Sequence, residues 1–279
     1  MKINYAESAF VCSLLAISAF VFCTTPKIQA LTVEGLKSDW RANMTTAFTR
    51  ALSDPESFKN TGLFMILGYN PEQIKQMAEV TPRPATISIE LTPSPKGNGA
   101  FEKIKVFCKN VRYYNLTIDH AVFEFPNVEV DPAALMQNSL VFRSVSEVGI
   151  ETNVSDKDVL KVFDLFARAR QLSNLSLKMN PEETFISGRV RKGWMVVAFQ
   201  IYGKPELLKS ALINFSCHRM VLNGMSLPRT TIRTIFDRIN PVFDATKTWL
   251  KLNLDKLSVE NGFVRTWATL RQNNAIPGK

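Results

Sequence analysis

The chain reads as α+β, built on an antiparallel sheet, and three observations predict it. About nine segments alternate apolar and polar residues with a period of two, the pattern of strands with one buried face. About four others carry apolar stripes of helical period. The two kinds do not alternate as strand–helix–strand, the order that a parallel sheet requires.

The helices come first. Leu36, Trp40, Met44, Phe48 and Leu52 recur at every fourth position, which predicts a helix over 33–52 stopped by Ser53-Asp54-Pro55. Pro71, with Asn70 as its cap, opens a short helix to Glu79. Leu63 to Leu67 is apolar throughout and fits helix or strand. After Thr81-Pro82-Arg83-Pro84 the period changes to two. Ile87, Ile89 and Leu91 mark one strand, and Ile104, Val106 and Cys108 a second beyond the turn formers of Pro93 to Gly99. Leu116, Ile118, His120 and Val122 mark a third, in which Phe123 and Phe125 break the alternation and predict a bulge or a strand end.

Val145 to Val154 is a further strand, and Ser155 caps a helix from Asp156 to about Arg170. Asp156 and Asp158 in its first turn, and Arg168 and Arg170 in its last, complement the helix dipole. Leu175, Leu177 and Met179 resume the strand period. Glu183 to Val190 and Trp194 to Tyr202 predict a hairpin around Arg191-Lys192-Gly193, and Phe215 to Leu222 another strand after the short segment Pro205 to Leu212. Leu227-Pro228 leads into an amphipathic helix with Ile232, Ile235, Phe236 and Ile239 on its apolar side. Trp249 to Leu254 and Phe263 to Ala268 are the last strands, and Asn261-Gly262 is the strongest hairpin signal in the chain.

Ala9 to Phe22 is an uncharged, mostly apolar run behind Lys2. Its length suits a secretion signal and falls short of the roughly 20 residues of a membrane-spanning helix. Ile28-Gln29-Ala30 offers cleavage before Leu31; an uncleaved anchor is the alternative, and the bulky Phe22 argues against lipidation of Cys23. The expected organisation is a signal peptide over 1–30, an N-terminal helical segment over 31–80, and a sheet with helices over 81–272. The last two form one globular unit, and 273–279 is a flexible tail. The expected location is extracytoplasmic, in the periplasm or cell envelope.

Loss of Lys2, Lys27 and Glu7 with the signal lowers the net charge only from +9 to +8. Anionic lipid, an acidic polymer and nucleic acid all suit a basic chain, and export disfavours nucleic acid. The basic residues are scattered, as on an ordinary solvated surface. Cys108 and Cys217 stay behind the signal, each on the apolar parity of its strand; they read as two buried thiols, with a disulfide left open.

Catalytic groupings are missing from the sequence. Asp119 and His120 are adjacent in a strand and point to opposite faces, so they form no dyad. There is no nucleophile elbow, Walker loop or paired zinc-ligand spacing. Lys96-Gly97-Asn98-Gly99 leads into a strand, so it reads as a turn and not as a phosphate cradle. No enzyme activity, metal or cofactor is expected. What remains is apolar bulk, including 19 phenylalanines. Two accounts fit it: a packed core, or a large curved antiparallel sheet with amphipathic helices on its concave face and a slot for acyl chains.

The closing block bears on that choice. Leu227-Pro228, a helix, Asn240-Pro241, the alternating Leu250/Leu252/Leu254 and the hairpin at Gly262 together resemble the end of the LmeA-like family of extracytoplasmic phospholipid-binding proteins. Gly99-Ala100-Phe101, the strands that follow it and the helix entered at Ser155 are similar too, so the resemblance spans roughly Ile87 to Thr269. It implies the curved sheet of a lipid-binding protein and an envelope protein that binds or transfers anionic phospholipid, with no catalytic residues. On that reading Val159, Phe163, Phe166, Ile232 and Phe236 are candidates to line an apolar cavity, and Arg168, Arg170, Arg191 and Lys192 to meet the headgroup. Phospholipid and a membrane surface are the expected partners. The alternatives are an envelope assembly factor with a filled core, and a hydrolase acting on lipid or glycan.

Overall fold

The computed structural model describes residues 40–78, 83–113, 116–167, 171–245 and 252–271. In chain order, α1 (Trp40–Ser53), α2 (Pro55–Lys59), α3 (Leu63–Ile66) and α4 (Pro71–Ala78) precede β1 (Thr86–Pro93), β2 (Ala100–Tyr113) and β3 (Leu116–Val130). Then follow α5 (Pro132–Met136), β4 (Phe142–Ser144), β5 (Glu147–Ser155) and α6 (Asp156–Ala167). After them run β6 (Leu172–Met179), β7 (Thr184–Lys192), β8 (Met195–Leu208), β9 (Leu212–Leu222) and β10 (Met225–Ser226). The chain closes with α7 (Arg229–Ile239), β11 (Phe243–Asp244), β12 (Asn253–Glu260) and β13 (Phe263–Arg271).

The strands form two antiparallel sheets, not one large curved sheet with helices on its concave face. The first has seven strands in the order β1-β2-β3-β5-β13-β12, with β4 paired to β3. The second has six, β10-β9-β8-β7-β6, with β11 paired to β9. Neither is closed or strongly curled. Alternation says which residues lie on one face of a strand but not which strand lies beside it. Here the chain starts a second sheet after α6, and its last hairpin joins β5 instead of extending β9.

Two compact units divide the chain. The first takes the described residues among 17–114, 120–151 and 269–279. Its helix α1 buries Met44, Phe48 and Leu52 of the predicted stripe, with Ala47 and Ala51 beside them; Trp40 is half-buried and Leu36 lies outside the described residues. Thr45, Thr46, Thr49 and Ser53 bond their hydroxyls to carbonyls four residues back, so these polar residues sit in a helix without opposing it. Ile104, Val106 and Cys108 are buried together along β2, as their parity predicts. Phe48, Phe125 and Phe142 close the core as a ring cluster, with centroids 5.8, 6.2 and 5.3 Å apart.

β3 departs from its expected alternation. Ile118, Ala121 and Phe125, then Val128 and Val130, are the buried positions, so the parity shifts before Ala121 and again at Asn127, whose φ is 47°. His120, expected on the apolar parity with Ile118, is consequently exposed. The ambiguous run at Leu63 is the short helix α3, entered through Gly62 with φ 78°.

Asp131 caps α5 by accepting the N–H groups of Ala133 and Ala134 at 2.8 and 3.1 Å, while Arg143 donates to its second oxygen at 2.9 and 3.2 Å. Burial pushes this carboxyl up, but the N–H of Ala134 and the Arg143 guanidinium outweigh it and hold it below its ordinary 3.8. A depressed carboxylate stabilises the fold above 3.8, and that contribution is lost as the pH falls through its lower folded value. Asp131→Ala is therefore expected to cost about 1–2 kcal/mol at neutral pH. The penalty should shrink in urea titrations run below pH 3.8; a cost that does not vary with pH would assign the effect to the cap geometry alone.

Candidate functional site

The second unit, residues 116–119 and 152–268 among those described, holds the six-stranded sheet and both helices from which cavity residues were expected. Along β8 the odd positions Phe199, Ile201, Gly203, Pro205 and Leu207 lie on one face and are buried or half-buried, while Gln200, Lys204, Glu206 and Leu208 between them are exposed and Tyr202 is half-buried. Ile201 stands opposite Ile186 on β7 and Met220 on β9. Pro205, expected outside a strand, belongs to β8. β7 ends opposite Gly203, so Pro205 lies past the last rung of that pairing, where a missing N–H interrupts no ladder.

Helix α7 packs on this face of the sheet. Its stripe Ile232, Ile235, Phe236 and Ile239 follows helical spacing, and Ile232 and Phe236 are buried while Ile239 is exposed. Both ends of the helix are tied to β9. At the start, the Leu227 N–H donates to the Met220 carbonyl at 2.9 Å. At the end, the Asn240 side chain accepts the Phe215 N–H at 2.9 Å and donates to the Phe215 carbonyl at 3.2 Å, as a neighbouring strand would. These ties place the Phe236 ring against Phe215, stacked at 5.7 Å with planes 27° apart.

Phe215, Ile232 and Phe236 are the buried centre of this contact. Around them Ile186, Ile201, Cys217, Met220, Leu227, Ile235 and Val242 form a floor and rim that are only partly buried. Two of the predicted cavity residues, Ile232 and Phe236, thus come together. Val159 and Phe163 lie half-buried on α6, which packs along β6; neither is among the described residues of the Phe215 cluster. Ser155 caps that helix as predicted, its hydroxyl donating to Asp158 at 2.7 Å and accepting the Asp158 N–H at 3.2 Å. The Phe166 side chain lies outside the described residues.

The headgroup candidates divide similarly. Arg168 and Arg170, and the Lys192 side chain, lie outside the described residues. Arg191 is exposed on β7, opposite Val196. The predicted hairpin is displaced: Lys192 pairs with Met195, so the turn is Gly193-Trp194 and not Arg191-Lys192-Gly193. Gly193 has φ 62°, as the first central residue of a two-residue hairpin turn often requires. That shift puts Trp194 at the apex.

The opposite face of the sheet is polar and aromatic. Phe185 meets Tyr202 at 4.9 Å, the Arg219 guanidinium lies 4.9 Å over the Tyr202 ring, and His218 pairs with Glu183 at 2.8 Å. Among the described residues no three of His, Cys, Asp and Glu group to hold a metal ion.

Among the described residues, Cys108 and Cys217 are free thiols. Burial pushes Cys108 up to about 12, and burial also raises Cys217, which is half-buried and donates to the Arg219 carbonyl at 3.4 Å. Alkylation of native protein near pH 8, read by peptide mass mapping, is expected to reach Cys217 first and Cys108 only on unfolding. Equal labelling of the two would show that the β2 face opens in the native state.

Phe215, Ile186, Ile201 and Met220 were not singled out from sequence. Their period-two parity was visible, but nothing in it shows which strands lie under α7. Comparison of the chain with protein-family models, curated proteins and solved structures finds no match.

Proposed function

We propose that this chain is an exported, non-enzymatic phospholipid-binding protein of the cell envelope, holding or transferring an anionic phospholipid whose acyl chains lie on the sheet floor beside α7. One observation carries the reading: the apolar contact under α7 is less closed than the ring cluster of the first unit. In the first unit the ring cluster and its neighbours are closed, with Phe48, Phe125 and Phe142 all nearly inaccessible. Among the described residues, three apolar side chains of the contact under α7 are buried and seven packed against them remain part-exposed. Apolar surface left open to water forfeits about 25 cal/mol for each Å². An acyl chain laid along such a floor recovers about 0.8 kcal/mol per methylene covered. The resemblance of the closing block to the LmeA-like family supports the same ligand class, and the basic character of the chain suits a phosphate headgroup.

The test is native mass spectrometry, with lipid extraction, on protein produced from the full chain and purified without detergent. Stoichiometric phospholipid is expected. Ile201→Trp, which fills the floor between Ile186 and Met220, is expected to remove most of that lipid while leaving the melting temperature in place. A lipid-free mass that also takes up nothing from anionic liposomes would falsify the reading and favour an assembly factor.

A further inference from the structure

The six-stranded sheet ends in an apex whose side chains contradict its exposure. Trp194, in the two-residue turn between β7 and β8, is 91% exposed, and Met195 and Val196 beside it are each 46% exposed. Lys192 pairs with Met195 and Arg191 with Val196, so Met195 and Val196 project from opposite faces of the hairpin. Each face of the apex therefore carries an apolar side chain, with Trp194 at the turn. At the same end of the sheet, Asn223 binds Ala198 twice, donating its N–H at 2.9 Å and accepting through its side chain at 2.8 Å. This holds the Asn223-Gly224 turn beside β8 and presents Met225, 71% exposed.

Cations stand directly behind the apex. Arg191 and Arg189 precede Gly193 by about 7 and 13 Å of strand. Both are exposed, and among the described residues neither pairs with a carboxylate. The charge of the region is one-sided: residues 184–236 hold eight arginines and lysines and a single carboxylate, Glu206. An apolar tip containing tryptophan, collared by unpaired arginine, is the distribution that a bilayer interface presents in reverse. Acyl chains and carbonyls accept the tip, and anionic phosphates accept the collar. Interfacial segments sink about 5–10 Å, which brings Arg191 to phosphate depth when Trp194 enters the headgroup region.

We infer that the β7–β8 hairpin, with Met225 beside it, is the element by which this protein docks on an anionic lipid bilayer. The inference deepens the phospholipid reading above and supplies its route of access. The α7 site lies on the same sheet, and the floor strand β8 runs from that site to the apex.

The experiment is flotation of the purified full-chain product with vesicles of phosphatidylcholine alone and with vesicles containing phosphatidylglycerol, alongside the lipid content of the same samples. Binding to the anionic vesicles is expected to weaken with salt. Trp194→Ser is expected to lower it about tenfold, and Arg191→Gln about fivefold. Arg189→Gln, about 6 Å farther from the apex, should weaken binding less than Arg191→Gln, and Met225→Ser should weaken binding further when combined with Trp194→Ser. Because Trp194 and Met225 are exposed and outside the α7 contact, melting temperature and co-purified lipid should stay at wild-type values in their variants. Equal binding to neutral and anionic vesicles, or anionic binding that Trp194→Ser leaves untouched, overturns the inference. A protein that carries lipid yet floats with no vesicle overturns the docking hairpin and leaves the lipid site standing. One that floats through Trp194 but carries no lipid does the reverse. A soluble protein partner lost with Trp194→Ser, in the absence of vesicle binding, would also overturn it.

Discussion

Phe125→Ala is expected to destabilise the first unit by about 3–5 kcal/mol, the cost of removing a buried aromatic side chain. The ring is 2% exposed and lies 5.8 Å from Phe48 and 5.3 Å from Phe142. Two aromatic partners add about 0.5–1.5 kcal/mol each beyond the buried area. The strands on either side are held by long ladders, so the walls of the space left behind have little freedom to collapse, which places the cost toward the upper end. Trp40, edge-on to Phe101 at 5.4 Å in the same unit, provides a fluorescence reporter for a urea titration. A cost under about 1 kcal/mol would mean that this core is already loose or hydrated. The contrast drawn with the part-open floor beneath α7 would then fail, and the main support for a ligand site there would go with it.

Gly203→Ala should be nearly as damaging, at about 3 kcal/mol, and should also disturb the site. Between Tyr202 and Gly203 the β8–β9 register slips: Tyr202 faces Arg219, Gly203 faces Cys217, and His218 is the extra residue of a bulge. Gly203 is buried there, and a Cβ on it would lie 2.3 Å from the Ser216 carbonyl oxygen and 2.5 Å from the Phe215 ring. Backbone on the central pair of the sheet cannot move aside cheaply. The ring can yield only by leaving its stack with Phe236. Gly188→Ala is the control. Its Cβ would meet the side-chain ends of Leu175 and Phe199, which can rotate, so its cost should be clearly smaller. Urea titrations of both variants check the order, and bound lipid measured on Gly203→Ala checks the coupling to the site. Equal costs would show that the bulge is more compliant than its contacts imply.

Much of the secondary structure was legible because each signal was local. The α7 stripe, the Ser155 cap and the Asn261-Gly262 hairpin all depend on residues within one or two turns of one another, and each is found where the spacing put it. The candidate site was half legible for the same reason. Ile232 and Phe236 were found from their helix, but Phe215, Ile186, Ile201 and Met220 come from three strands whose adjacency no local pattern encodes.

The sequence by itself determined an antiparallel α+β chain, the buried face of most of its strands, its cationic balance and the apolar side of α7. Only the tertiary structure decided that the strands divide between two sheets, and that α7 stacks on Phe215 through Phe236. It also decided that the hairpin turns one residue late and places Trp194 at an exposed apex. The physical reason is the reach of the interactions. Helix faces, caps and tight turns are set by contacts a few residues apart. Sheet membership and register are set by long-range pairing, and a shift of one residue turns every side chain to the other face.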